Sequence, residues 1–589
     1  MKATYQVTGE NKAAPFTLKI HRGDGMALLA MNWRKGTPPR DFVGFSIEFK
    51  EPDGDQFWPI KNRIGFPGQR AKVTDPAIES TRAPFQKFRW VHFPRDAEKA
   101  GSFTYRVTPM FMDEAGVLSR GEEQVASLAL MRETLQGKLN VAFTRGYVSS
   151  QAFVANFAPD RKLSTLIPDK AKEGLTFRPS HKKSKEAHEW MGFEARKVIC
   201  ELLDEAIAKK AFVRVIAYDL NLPEILTRLE ALGPRLRIII DDSTSEGGGH
   251  KASDSPESKA AARLRKSAGE SNVVRQHMGG LQHHKSIAVS GKGLHKIVYG
   301  STNFTWRGFY VQSNNAIVVN SKKAVDDYFE VFESYFGATR AEDFRTSSSA
   351  AGWHSLGVPG LDAQVGFSPH GKEAGLLASV GQDVAKAKSS IFFSLAFLGQ
   401  MKKGPIGPAL GKQIKSKNVH ALGIADAAVK EGNLGVTVLT ADNKRRVVRA
   451  SALTGNVPAP FSTEASGLSG SGGSHRGTRM HHKFIVIDFD TSAARVYLGS
   501  YNFSEAADFD NGENLVVVKD RTVATSYMIE ALRIYDHYRF RTIQEDTKKT
   551  GKNKKVIELR VPPRKSSEKP WWQRHWDDPT AKRERELFA

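Results

Sequence analysis

Residues 481–518 read HHKFIVIDFDTSAARVYLGSYNFSEAADFDNGENLVVV, and residues 283–319 read HHKSIAVSGKGLHKIVYGSTNFTWRGFYVQSNNAIVV. From Gly300 and Gly499 onward the two align without a gap, matching Ser301 with Ser500, Asn303 with Asn502 and Asn315 with Asn514. His283 precedes Gly300 by 17 positions and His481 precedes Gly499 by 18. One His-x-Lys or one Gly-Ser-x-Asn arises easily by chance, but both together, twice, at nearly one offset mark an internal duplication. Their polar residues fall at the ends of apolar strands, where open α/β sheets place ligand sites.

Working outward, residues 135–350 and 351–545 each alternate helix-like and strand-like segments. The first has EAHEWMGFEARKVICELLDEAIAKK, FVRVIAY, PEILTRLEAL and LRIIIDD; the second has AQVGFSP, KEAGLLASVGQDVAKA, SIFFSLAF and VHALGIA. This is the rhythm of an α/β sheet flanked by helices. Polar stretches at 243–276 and 465–477 precede the two motifs and read as long exposed loops. Residues 1–134 show short alternating runs such as FTLKIHRG and SFTYRVTPMF, which predict a small all-β sandwich of the immunoglobulin or fibronectin III kind, suited to docking a protein partner. Residues 546–589 form a basic tail carrying Trp571, Trp572 and Trp576, which either stack bases or pack onto the main body.

The chemistry follows from charge. A phosphodiester repels nucleophiles, and cations with converging hydrogen-bond donors lower that barrier. Lys285 and Lys483 supply the cations; Ser301, Ser500, Asn303 and Asn502 are expected to surround the phosphate. On a strand the i to i+2 spacing sends His283 and Lys285, and likewise His481 and Lys483, to one face. One imidazole can attack phosphorus while a second delivers a proton to the leaving oxygen, so two halves give the two histidines such a reaction needs. His284 and His482 point the other way and are read as structural. No metal and no cofactor is expected, because a single cysteine and no HExxH-like spacing leave little to build a zinc site.

These paired motifs resemble the phospholipase D superfamily, whose signature is His-x-Lys, an Asp separated from the Lys by four residues, then Gly-Ser-x-Asn. The resemblance covers residues 135–545 and implies two pseudo-twofold-related α/β halves, each a mixed sheet flanked by helices, behind the β-sandwich. The second copy keeps the whole pattern with Asp488, whereas Ser290 replaces the Asp in the first; the tyrosyl-DNA phosphodiesterases of this family lack it in both. The Asp in this family helps to hold a histidine. Eleven residues past each Asn, where the family's small nucleases carry a Glu that pairs with the catalytic histidine, stand Glu513 and Asn314. The resemblance implies catalytic roles for His283, Lys285, Asn303, His481, Lys483, Asp488, Asn502 and Glu513, with Asn314 orienting a histidine. By family habit His283 is the nucleophile and His481 the acid and base.

The formal charge of +23 favours polyanionic partners, nucleic acid first. A metal-independent nuclease is therefore the leading expectation. A phospholipid-acting phospholipase or phosphatidyl transferase and a non-catalytic nucleic-acid-binding or interaction module stay open beside it. No stretch reaches the roughly 20 apolar residues of a membrane span, so no integral membrane association is expected. The N-terminus lacks an apolar export region, which makes a cytoplasmic location the default. The sequence leaves oligomeric state unread.

Overall fold

In Phe16–Arg22, Phe16, Leu18 and Ile20 are fully buried while Thr17 is exposed, the period of a strand with one covered face. The computed structural model describes residues 4–589 apart from 71–74, 95, 131–132, 147–152, 154–156, 158–162, 245–248, 403, 427–434, 440–445, 450–479 and 550–556. It divides into two units, Met1–Arg132 with Ile543–Ala589, and Glu133–Thr542.

The first unit holds a four-stranded antiparallel sheet (Gln6–Thr8, Phe16–Arg22, Ala27–Trp33, Arg89–His92) and a second sheet around Phe42–Lys50 and Phe103–Met112. Their inner faces share one core of Phe16, Phe45, Phe103 and Tyr105, as the alternation predicts. The C-terminal segment belongs to this core. Trp572 is buried in it and Trp571 and Trp576 pack against it, with indole N–H groups donating to the carbonyls of Phe42 (Trp571, 2.9 Å), Pro39 (Trp572, 3.2 Å) and Gly36 (Trp576, 3.1 Å). Three satisfied indoles on a sandwich are packing residues rather than a base-stacking platform. Residues 546–589 are thus divided differently from the tail expected of them: their described part completes the N-terminal unit. Trp572→Ala is expected to cost this unit about 3–5 kcal/mol, read as a lower denaturation midpoint.

The second unit carries the duplication. Its first sheet runs, in spatial order, Leu139–Phe143, Asn315–Asn320, Leu294–Gly300, Lys285–Gly291, Phe212–Ala217, Leu236–Asp241 and Val273–Gln276. The second sheet repeats that order through Asp362–Ser368, Glu513–Lys519, Arg495–Gly499, Lys483–Ile487, Ser390–Leu395 and His420–Asp426. Both are mixed: Lys285–Gly291 lies antiparallel to Phe212–Ala217, which lies parallel to Leu236–Asp241.

Two departures from the sequence reading matter. The stretch at 243–276 is not a solvated loop: Pro256–Ala268 is a helix, capped by the Ser255 hydroxyl and starting on a proline, and Val273–Gln276 adds a parallel edge strand. Its Ala260, Ala261, Leu264 and Ala268 share a buried stripe that the surrounding charges hide in a composition count. The stretch at 465–477 lies outside the described residues.

Candidate active site

Each motif strand begins at its lysine, Lys285 or Lys483, so the histidine sits just before the strand rather than on it. What fixes that position is the other half. Gln282 bridges in parallel to Gly512 and Ser313 to Met480; His283 N–H donates to the Gly512 carbonyl at 2.8 Å and His481 N–H to the Ser313 carbonyl at 2.9 Å. Each histidine is thereby delivered beside the residue eleven positions past the Asn of the opposite half's Gly-Ser-x-Asn turn, Glu513 for His283 and Asn314 for His481.

The side chains cross in the same way. His283 Nδ1–H donates to Glu513 Oε2 at 2.9 Å, and His481 Nδ1–H to Asn314 Oδ1 at 2.9 Å. With both Nδ1 atoms committed, both Nε2 atoms carry the lone pair. Lys483 Nζ donates to His481 Nε2 at 3.0 Å, and Lys285 Nζ to the His283 carbonyl at 2.6 Å. His284 and His482 repeat the crossing on the covered face: Asn514 donates to His284 at 3.0 Å and Asn315 to His482 at 3.3 Å, while their other nitrogens meet Tyr335 and Glu530. They are structural, as expected.

The turns explain the glycines. Gly300 and Gly499 have φ of 150° and 139°, and a Cβ on either would lie 2.3 Å from the carbonyl of Asn315 or Asn514. Without that atom, Ser301 N–H reaches the Asn315 carbonyl at 3.0 Å and Ser500 N–H the Asn514 carbonyl at 3.2 Å.

The phosphate-binding expectation for the two serines is corrected. A hydroxyl has one proton, and Ser301 gives its proton to Asn314 Oδ1 at 2.9 Å while accepting from Asn315 N–H at 3.1 Å. Ser500 is bound to Glu513 and accepts from Asn514 N–H at 3.0 Å. Both brace the residue that grips a histidine. Asp488 is also corrected: its carboxylate accepts from the backbone N–H groups of Lys388, Ser389 and Ser390 at 2.7–3.0 Å and fixes the start of Ser390–Leu395, with no histidine among these partners. Ser290, in the corresponding place of the first half, faces His295 at 3.4 Å.

Asn303 and Asn502 each keep a buried, unpartnered Oδ1 among the described residues. Asn303 Nδ2 donates to Asp219 Oδ2 at 2.7 Å, a partner that motif reading missed. Tyr218 was missed too; its ring centre is 4.7 Å from that of His283 and 4.8 Å from Lys285 Nζ. Both lie just past the strand Phe212–Ala217, and the strand end was the available signal.

Burial dominates the electrostatics. It holds His283 well below the usual imidazole range, helped by Lys285 and Lys483, and His481 likewise, helped by Lys483 and Lys285. Burial lowers Lys285 to about 8 against the pull of Glu513, Asp219 and Asp241, and raises Glu513 to about 8. Both imidazoles are therefore held in the neutral form. Asp219, His250 and Glu257 offer ligand atoms within 4.8 Å of one another. In this arrangement, however, both ring nitrogens of His250 are engaged by carboxylates, Asp219 at 3.0 Å and Asp241 at 2.7 Å.

A family model described as "Cardiolipin synthase, PLD-like domain" matches residues 199–336 and 386–534, so that each match contains one His-x-Lys and one Gly-Ser-x-Asn. The chain belongs to the phospholipase D superfamily. Among curated relatives of this superfamily, "Phospholipase D" of Rickettsia felis is 44% identical over 48 residues, 8% of this chain and 22% of that protein. The chain thus spans about a fifth of the length of the curated relatives it matches. Among solved structures, Nuc from Salmonella typhimurium, a phospholipase D family member, aligns over 24% of this chain and 86% of its own at 24% identity and a TM-score of 0.20. Phosphatidylserine synthase from Haemophilus influenzae aligns over 63% and 94% at 12% identity and a TM-score of 0.35. Among the described residues no helix is long and apolar enough to cross a membrane.

Proposed function

We propose that the protein is a phosphodiesterase that works without a metal and cleaves nucleic acid through a covalent phosphohistidine. The observation that carries this is the unequal crossing of the two halves, His283 on Glu513 and His481 on Asn314. A carboxylate supports the positive charge that an imidazole acquires on bonding to phosphorus, which suits His283 to be the nucleophile. Its Nε2 forms the N–P bond as the P–O bond to the leaving group breaks, and His481, protonated, gives the leaving oxygen its proton. His481 then takes a proton from water, whose oxygen attacks phosphorus and releases His283. Burial is the main force that keeps His481 neutral, and the Lys483 and Lys285 charges add to it; the phosphodiester anion offsets those charges and so favours the protonated form as substrate enters. Lys285 and Lys483 neutralise the equatorial oxygens, and Asn303 and Asn502 add neutral donors.

The +23 charge supports nucleic acid as substrate. A phospholipid-acting reading is supported by the description of the matching family model and by the relatives named phospholipase D. The third reading, a non-catalytic module, is disfavoured by two intact buried His-x-Lys pairs that have kept their partners. The test is a panel of labelled single-stranded DNA, duplex DNA, RNA and phosphatidylcholine vesicles, each with EDTA. Cleavage of a nucleic acid in EDTA is expected; release of the lipid headgroup alone would transfer the assignment to the second reading, and activity lost in EDTA and restored by magnesium would end the proposed mechanism.

The pH dependence follows from Lys285 and Glu513. Lys285, lowered to about 8, is charged below that value and neutral above it, while Glu513, raised to about 8, supports His283 as a carboxylate only above it, so kcat/KM is expected to rise and then fall with pH around a maximum near 8. Bound phosphate favours the cation, so the fall in kcat lies at higher pH. Lys285→Arg keeps its charge and is expected to move the alkaline limb above about pH 10 at whatever rate it retains.

A further inference from the structure

His250 lies in the polar stretch at 243–276, which interrupts the first half just before its motif. Its position ties together residues far apart in the chain. Nε2–H meets Asp219 Oδ1 at 3.0 Å, and Nδ1–H meets Asp241 Oδ2 at 2.7 Å. Asp219 uses its other oxygen to accept from Asn303 Nδ2 at 2.7 Å. Asp241 is itself anchored: it is fully buried and accepts the backbone N–H groups of Gln282 at 2.6 Å and Ser243 at 2.9 Å. The result is one unbroken run, Asp241 to His250 to Asp219 to Asn303.

Among the described residues the run exists in the first half alone. Tyr218 N–H bonds the His284 carbonyl and Ala396 N–H the His482 carbonyl, each at 3.0 Å, which aligns Tyr218 with Ala396 and Asp219 with Phe397. A phenyl ring cannot accept a hydrogen bond from an amide as a carboxylate does, and Asn502 has no side-chain partner among the described residues.

We propose that His250 is a positioning residue for the phosphate site: through Asp219 it fixes the amide of Asn303, so that the first half presents a preset phosphate donor and the second an adjustable one. The inference rests on the reading of this site as a phosphodiester site, but not on which phosphodiester it takes. The rigidity has a physical source. Burial works against a charge on His250, yet the hydrogen bonds to Asp219 and Asp241, with Glu257 nearby, hold it protonated up to about 11. The imidazolium therefore donates at both ends throughout the neutral range, and Asp219 cannot turn away without breaking a charged hydrogen bond. With Asp219 fixed, Asn303 Nδ2 has one direction left for its second hydrogen while Oδ1 stays buried and unpartnered. Glutamine at 250 donates from one end only and cannot balance both carboxylates.

The test is a double-mutant cycle on His250→Gln and Asn303→Ala in the full chain, read first as the Kd for inorganic phosphate by calorimetry and then as kcat/KM for bis(p-nitrophenyl) phosphate. His250→Gln is expected to weaken phosphate binding on the order of tenfold or more with Asn303 present, and by less than about threefold in the Asn303→Ala background. His250→Lys, which keeps a charged donor, is expected to recover part of the loss. Equal losses in both backgrounds would mean general loosening and would overturn the proposal, as would an unchanged Kd. Should His250→Gln not fold, Asp219→Asn goes through the same cycle with the same expected non-additivity. Failure of the wild-type protein to turn over any phosphodiester would end the enzymatic reading, while the phosphate-binding cycle would still decide the role of His250.

Discussion

His283→Ala is expected to lower kcat by about 10⁴-fold or more and to abolish an acid-labile phosphoprotein intermediate, whereas His481→Ala, similarly slow at steady state, is expected to leave that intermediate detectable. The difference follows from the two halves of the reaction. Without the Nε2 lone pair of His283 no N–P bond forms. Without His481 a substrate whose leaving group needs no proton can still phosphorylate His283, and it is the attack of water on the intermediate that stalls. A nitrophenyl diester is such a substrate and a polynucleotide is not, so rapid-quench trapping with the former separates the roles. Intermediate found in His283→Ala and absent from His481→Ala would reverse the assignment. The two losses should not add in the double variant, because neither histidine works alone.

Glu513→Gln carries the second large effect, an expected loss in kcat of about 10³-fold, and it probes the asymmetry directly. Glu513 is fully buried, braced by Asn511 at 2.9 Å through one oxygen, and bound to His283 through the other. An amide there can present its NH₂ to Nδ1, which moves the ring proton to Nε2 and removes the attacking lone pair. An equivalent exchange in the carboxylate–histidine pair of a hydrolase triad costs about 10⁴-fold, which sets the scale. The partner on the other side predicts the contrast: Asn314→Asp gives His481 a carboxylate, which raises the pH at which it holds a proton and extends activity to the alkaline side with a smaller change in maximal rate. Comparable losses in Glu513→Gln and Asn314→Ala would mean that the two sides are equivalent and that the unequal crossing carries no division of labour.

Much of this was legible in the chain. The α/β rhythm, the duplication and the four cationic and imidazole groups are local patterns, because strand periodicity and turn chemistry are set by neighbours a few residues apart. The N-terminal sandwich was readable for the same reason: Phe16, Leu18 and Ile20 alternate with polar residues and end on one side of a sheet. The serines and Asp488 were misassigned because a motif gives residue type and offset without saying which atoms are already occupied. Ser301 has spent its proton on Asn314, and Asp488 its oxygens on Lys388, Ser389 and Ser390. The fate of the three tail tryptophans was undecided in sequence because their partners lie more than 500 residues away.

The sequence by itself determined that there are two similar halves, each with one His-x-Lys and one Gly-Ser-x-Asn turn, and that their supporting residues differ, Glu513 against Asn314. Only the tertiary structure decided which histidine each of these touches. The contacts join residues 230 and 167 positions apart and run from one half to the other, because the motif histidines stand ahead of their own strands and are held by the backbone of the opposite half. No periodicity along the chain encodes a contact of that kind; it appears when the two halves pack together, and with it the unequal partners on which the separate roles proposed for His283 and His481 rest.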